Sequence, residues 1–234
     1  FSDHRLWDPI IHNLSDDYQC LAVDLPGHGQ SGSWRGDWPD LLLELNNLIH
    51  SLPEPCHIIG YSMGARIVGQ LLTQSGPPIE TAILISPNAG FQPIAARQRR
   101  LRDQQLAAKI HHQPITESAN FWGQQPLFSG QEISSKPSLQ RQHQIRCSQE
   151  PRSLAFALRT LGSGTRSISG QPVRGQSIHL LSGQRLALDI ERTQALARQW
   201  PSARTTWLSQ TGHNPIIEDP VGLSVHFTSL LALN

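Results

Sequence analysis

The chain has 234 residues, 38% hydrophobic and 16% charged, the make-up of one globular domain with a sizeable core rather than of a disordered chain, and it holds no apolar run long enough for a membrane-spanning helix. The net charge of +1 conceals an asymmetry: residues 91–176 carry twelve of the nineteen Lys and Arg but only four of the eighteen Asp and Glu, which leaves the remainder acidic. Seventeen of the nineteen basic residues are Arg, the side chain suited to fork-like capture of carboxylate or phosphate, so an anionic ligand is expected.

The opening residues FSDHRLWDPI lack the basic-then-apolar pattern of a leader, and the only methionine is Met63, so the sequence reads as part of a longer chain. Three scattered cysteines, Cys20, Cys56 and Cys147, build neither a disulfide framework nor a zinc site. They read as buried, inert thiols in a reducing, cytoplasmic compartment. In chain order, Gln19–Leu25, Cys56–Ser62, Thr81–Ser86, Ser177–Gly183 and Ala203–Ser209 are short apolar runs bounded by turn residues. Their continuous apolarity predicts parallel strands covered on both faces. Between them Asp37–Leu52, with Asp37 as N-cap and Pro39 in the first turn, predicts a helix, as do Ser62–Gln74, Asp189–Trp200 and Pro220–Leu233. This alternation predicts an α/β fold with a mostly parallel sheet. Residues 90–176 break it with helical stretches alone, over Arg97–Ile110, Ile115–Trp122, Ser138–Gln149 and Pro151–Leu161. They are expected to form a helical cap inserted into a core made of 1–89 and 177–234.

Gly60-Tyr61-Ser62-Met63-Gly64 matches G-x-S-x-G between a strand and a helix. There a tight turn projects the Ser62 hydroxyl at the sheet's carboxyl edge and sets the Met63 N–H at a helix N-terminus, facing a developing oxyanion. His213, in Thr211-Gly212-His213-Asn214 after the last strand, is the candidate base. The acid belongs just after Ser177–Gly183, where the first carboxylate is Asp189, a position that also suits a plain helix N-terminus. Asp24 reads instead as a residue fixing the turn PGHGQS.

LPGHGQS, GYSMGAR and TGHNPIIEDP resemble the α/β-hydrolase superfamily. Over nearly the whole chain the sequence is similar, more narrowly, to the SHCHC synthases (2-succinyl-6-hydroxy-2,4-cyclohexadiene-1-carboxylate synthases) of menaquinone and phylloquinone biosynthesis. Arg66 four residues past the serine, Arg99 four before Asp103, Trp122 in WGQQPLF, Arg146 eight before Leu154-Ala155, and Tyr61 carry that narrower likeness. The resemblance implies a lyase in which Ser62, through His213, removes a ring proton so that pyruvate leaves SEPHCHC. Tyr61, Met63, Arg66, Arg99, Trp122 and Arg146 would hold a small polycarboxylate substrate, with no metal or organic cofactor. Arg97, Arg100 and Arg102 are expected on the surface.

Two departures stand out. The family's acid aligns with Leu186, which cannot orient an imidazole, so either Asp189 replaces it or the chain is an impaired, binding-only relative. The family also begins with further strands and a His-Gly-Phe loop that supplies the other oxyanion donor, and Phe1 matches only the end of that loop. A carboxylesterase of the same fold remains the alternative function. Aromatic residues at 6%, an acidic body and no recognised module argue against nucleic acid.

Overall fold

The structure, a computed structural model, describes residues 1–14, 16–74, 78–173 and 175–232, with the main chain alone for Glu132. Four of the five apolar runs become strands: β1 (Cys56–Tyr61), β2 (Ile79–Ile85), β3 (Ser177–Gly183) and β4 (Arg204–Leu208). They lie in the order β1-β2-β3-β4, every pair parallel. Their pleat divides the core in two. Ala82, Leu84, Ile178 and Leu180 pack with Leu41, Ile67, Leu71, Leu196 and Trp200 on one face. Ile83, Ile85 and Leu181 pack with Ile10, Ile216, Phe227 and Leu231 on the other. Apolar side chains on both faces are what continuous apolar runs require.

The helices that cover these faces are α1 (Asp8–Leu14), α2 (Trp38–His50), α3 (Met63–Leu72), α8 (Ala187–Gln199) and α10 (Pro220–Leu231), with the short α9 (Pro215–Glu218) before the last. Asp37 caps α2 as expected and goes further: its carboxylate accepts from the Asp40 N–H while Asp40 accepts from the Asp37 N–H, a capping box, with Pro39 in the first turn. Between β2 and β3 the chain forms α4 (Pro93–His112), α5 (Ile115–Gly123), α6 (Lys136–Cys147) and α7 (Pro151–Leu161). On α4 only Asp103, Ala107 and Ile110 are buried, while Arg97, Arg100 and Arg102 are exposed. No helix among the described residues is long and apolar enough to cross a membrane.

Two expectations are corrected. Gln19–Leu25 forms no ladder: the only ladder partner of β1 among the described residues is β2, and Leu21 and Val23 are exposed at 58% and 42%. An apolar run becomes a strand only where a neighbour takes its main-chain groups. For the same reason Cys20, which lies on that run, is an exposed thiol, and Cys147 is half-buried with Sγ 3.4 Å from His143 Nε2; only Cys56 is buried.

The β1–α3 junction depends on Gly60. A Cβ there would stand 2.6 Å from the Gly64 carbonyl oxygen and 2.8 Å from the Ala65 nitrogen, both main-chain atoms that cannot move aside. Gly64 itself has open space. Gly60→Ala is therefore expected to cost about 2–3 kcal/mol in chemical denaturation, whereas Gly64→Ala, inside the first turn of α3, costs nothing or gains up to about 1 kcal/mol. Equal effects at the two positions would refute this account of the turn.

Candidate active site

The sheet's carboxyl edge gathers three side chains from three different connections. Ser62 follows β1 with φ 52° and ψ −103°, a left-handed conformation held by the main-chain bond from its N–H to the Ile85 carbonyl at 2.9 Å. The strained turn stands where G-x-S-x-G requires it. Met63 is the first residue of α3, so its N–H belongs to the first turn, whose donors have no helical acceptor.

His213 lies between β4 and α9, 3% exposed. The loop around it is tied on both sides: Glu218 accepts from the Gly212 and Asn214 N–H groups, and the Ser86 hydroxyl donates to the His213 carbonyl at 2.8 Å. Gly183, at the end of β3, admits this loop, because a Cβ there would lie 2.1 Å from the Gly212 carbonyl oxygen. So held, His213 Nε2 is 3.0 Å from Ser62 Oγ, and Nδ1 is 2.7 Å from Asp189 Oδ2.

Asp189 is thus the carboxylate that reaches the imidazole. Leu186 stands at the N-cap of α8 in an extended conformation, and Asp189 sits in the first turn, fully buried. Three residues of helix advance nearly one full turn, which carries the acid to the His213 side of the helix. Ser62, His213 and Asp189 are thereby joined in one chain of contacts.

Around His213 the chain places a string of aromatic rings. Tyr61 lies 5.4 Å from it and Phe128 6.0 Å, centroid to centroid; Trp122 is 6.3 Å from Phe128, and Phe1 is 4.1 Å from Trp122. Phe128 is the aromatic of WGQQPLF, and its contact with the histidine is the residue role that motif spacing alone did not assign. The Arg146 guanidinium stacks over Phe128 at 4.8 Å. Arg146 is 5% exposed, and its Nε has no hydrogen-bond partner. Burial lowers its pKa, an effect the Tyr61 hydroxyl opposes. Burial likewise raises that of Tyr61, helped by Asp189 and Glu218.

Two of the six binding candidates already have partners within the protein. Arg66 is 3% exposed, donates to the Leu161 and Arg166 carbonyls, and stacks 5.3 Å from the Trp38 ring. Burial pulls its pKa down to about 10. Main-chain carbonyls at the end of α7 and beyond therefore occupy its fork. Arg99 donates through Nε to Asp103 at 2.9 Å and keeps a third of its side chain exposed. Among the described residues, one group of His and carboxylate side chains lies close enough to hold a cation: Asp3, His4 and Asp24. Its members are engaged already, Asp3 by Arg5 and Gln149, and Asp24 by His4 and Gln30. The turn-fixing role of Asp24 is therefore as expected.

Comparison with known proteins places this geometry. The model of the alpha/beta hydrolase family matches residues 1–224. The 2-succinyl-6-hydroxy-2,4-cyclohexadiene-1-carboxylate synthases of Salmonella newport and Salmonella gallinarum are each 28% identical over 240 residues, covering 99% of this chain and 90% of theirs. Among solved structures, MenH from S. aureus superposes with a TM-score of 0.90 at 25% identity, covering 99% of this chain and 90% of that one. A thermophilic esterase from Thermogutta terrifontis has a TM-score of 0.78 at 21% identity over 99% of this chain and 86% of its own, a likeness of fold.

Proposed function

The chain belongs to the alpha/beta hydrolase family, and within it we propose an SHCHC synthase-like carbon–oxygen lyase that eliminates pyruvate from SEPHCHC. The observation that carries the proposal is the buried Arg146, its Nε unpaired, stacked on the ring next to His213. A guanidinium kept out of water without a carboxylate partner is costly, and a substrate carboxylate supplies the missing acceptor. The likeness to the Salmonella enzymes supports the same substrate.

In this reading Ser62 Oγ takes the ring proton as its own proton passes to His213 Nε2, and Asp189 holds the imidazole by Nδ1. The ring C–H electrons form a new double bond, the C–O bond to the enolpyruvyl group breaks, and the departing enolate takes up one proton to become pyruvate, as His213 gives up the proton it received. The Met63 N–H faces the negative charge that develops during this transfer. Arg146 and Arg99 hold carboxylates, Tyr61, Trp122 and Phe128 pack the ring, and residues 90–176 act as the cap. Arg66 braces that cap from beneath.

The test is pyruvate release from SEPHCHC beside hydrolysis of neutral esters. Pyruvate with no ester turnover supports the lyase; ester turnover with an acylated Ser62 and no pyruvate replaces it with the carboxylesterase, which the same Ser–His–Asp geometry would serve. A narrower check concerns Arg146. Arg146→Met keeps an unbranched side chain and removes the charge, so kcat/KM is expected to fall about 10–100-fold, the worth of one charge-assisted contact. Thermal stability should hold or rise, because an unpaired buried charge is gone. Unchanged kcat/KM removes Arg146 from the substrate site.

A further inference from the structure

We infer that Arg192 is a positioning residue for this site, the counter-charge that lets a helix-borne carboxylate serve His213. The inference rests on Ser62, His213 and Asp189 acting as one unit, and is independent of which bond the enzyme breaks.

Asp189 is fully buried, and its two oxygens are treated differently. Oδ2 takes the His213 Nδ1 bond, while Oδ1 has no hydrogen-bond partner. A buried carboxylate oxygen without a donor is unfavourable, and the penalty falls on the ionised form that an imidazolium needs opposite it. On the strand-to-helix connection, where the family's acid aligns with Leu186, loop N–H groups are free to satisfy a second oxygen. At Asp189, in the first turn of α8, no main-chain N–H donates to Oδ1. A side chain has to provide the positive partner instead.

Arg192 is placed to do so. It lies three residues along α8, on the same side of the helix, with Nη1 4.0 Å from Asp189 Oδ1 and its side chain 19% exposed. Its guanidinium carbon lies 6.0 Å from the Phe91 ring centroid. The other charged groups in this neighbourhood are Arg99 from α4 and Glu191 from α8, while His213 and Tyr61 face Asp189 from across the site. At 4.0 Å the contact is one of charge rather than a two-pronged hydrogen bond, so a lysine can replace it.

The experiment measures how fast Ser62 is labelled by diisopropyl fluorophosphate, read as a mass shift, in the wild type and in Asp189→Asn, Arg192→Met, Arg192→Gln and Arg192→Lys. The reagent reports the power of the serine without any assumption about substrate. Arg192→Met and Arg192→Gln are expected to slow labelling about tenfold, the scale of one charge-assisted contact, with Arg192→Lys within about threefold of wild type. Met and Lys both keep the aliphatic stem, so a merely structural Arg192 would leave the two alike, and that result overturns the inference. Wild-type rates in both neutral variants, with Asp189→Asn slow, overturn it as well. Wild-type labelling in Asp189→Asn would instead bring down the underlying triad.

Discussion

Replacing Asp189 with Asn is expected to lower kcat for pyruvate release about 10⁴-fold, the loss seen when a serine-protease triad keeps its shape but loses its acid. The reasoning is geometric. Asp189 Oδ2 stands 2.7 Å from His213 Nδ1, so the carboxylate both fixes the tautomer that leaves Nε2 free for Ser62 and stabilises the imidazolium formed when Nε2 takes a proton. An amide of the same size does neither: its NH₂ donates where an acceptor is needed, and it carries no charge. KM should change little, because Asp189 is buried behind the histidine and meets no substrate. Stability should fall by about 1–3 kcal/mol, since the variant breaks the buried contact with His213 and leaves Arg192 without its counter-charge. Steady-state kinetics with a thermal melt checks all three. A kcat within tenfold of wild type would mean that another group orients His213.

Ser62→Ala carries the second large effect, and its size discriminates between chemistries. If Ser62 Oγ abstracts a proton, its loss removes one general base, worth about 10²–10⁴-fold, with residual turnover from His213 acting through water. If Ser62 forms an acyl-enzyme, its loss should approach the roughly 10⁶-fold seen for a serine-protease nucleophile. The 3.0 Å contact between Ser62 Oγ and His213 Nε2 serves either route. Residual activity in the variant, together with no covalent mass on Ser62 during wild-type turnover, is the result expected for the lyase. Complete loss with a trapped acyl-serine would transfer the site to the hydrolases.

The sequence by itself determined everything that depends on neighbours along the chain. The elbow was legible because a strand-to-helix turn at a left-handed Ser62 tolerates only small flanking residues where main chain crowds in, and Gly60 meets that demand. The cap of α2 was legible because Asp37 and its partner Asp40 lie within three residues. The helical character of 93–161 was legible from the absence of strand-like runs between β2 and β3.

What the tertiary structure decided were the contacts between distant segments. Gln19–Leu25 has the apolarity of a strand, yet pairing is not a property of one segment. Arg66 carries the right charge beside the serine, but main-chain carbonyls a hundred residues away occupy its fork. Phe128 acquires its place only when the 3₁₀ turn Pro126–Phe128 is laid against His213. Asp189 is the clearest case. From the sequence it reads first as a helix-start residue and only second as a catalytic acid. The choice depends on where α8 begins and on how Glu218, Ser86 and Gly183 seat the His213 loop beside it. A side chain's chemistry is written in its own codon, but its partner is set by packing, which brings residues 24 positions apart to within 2.7 Å.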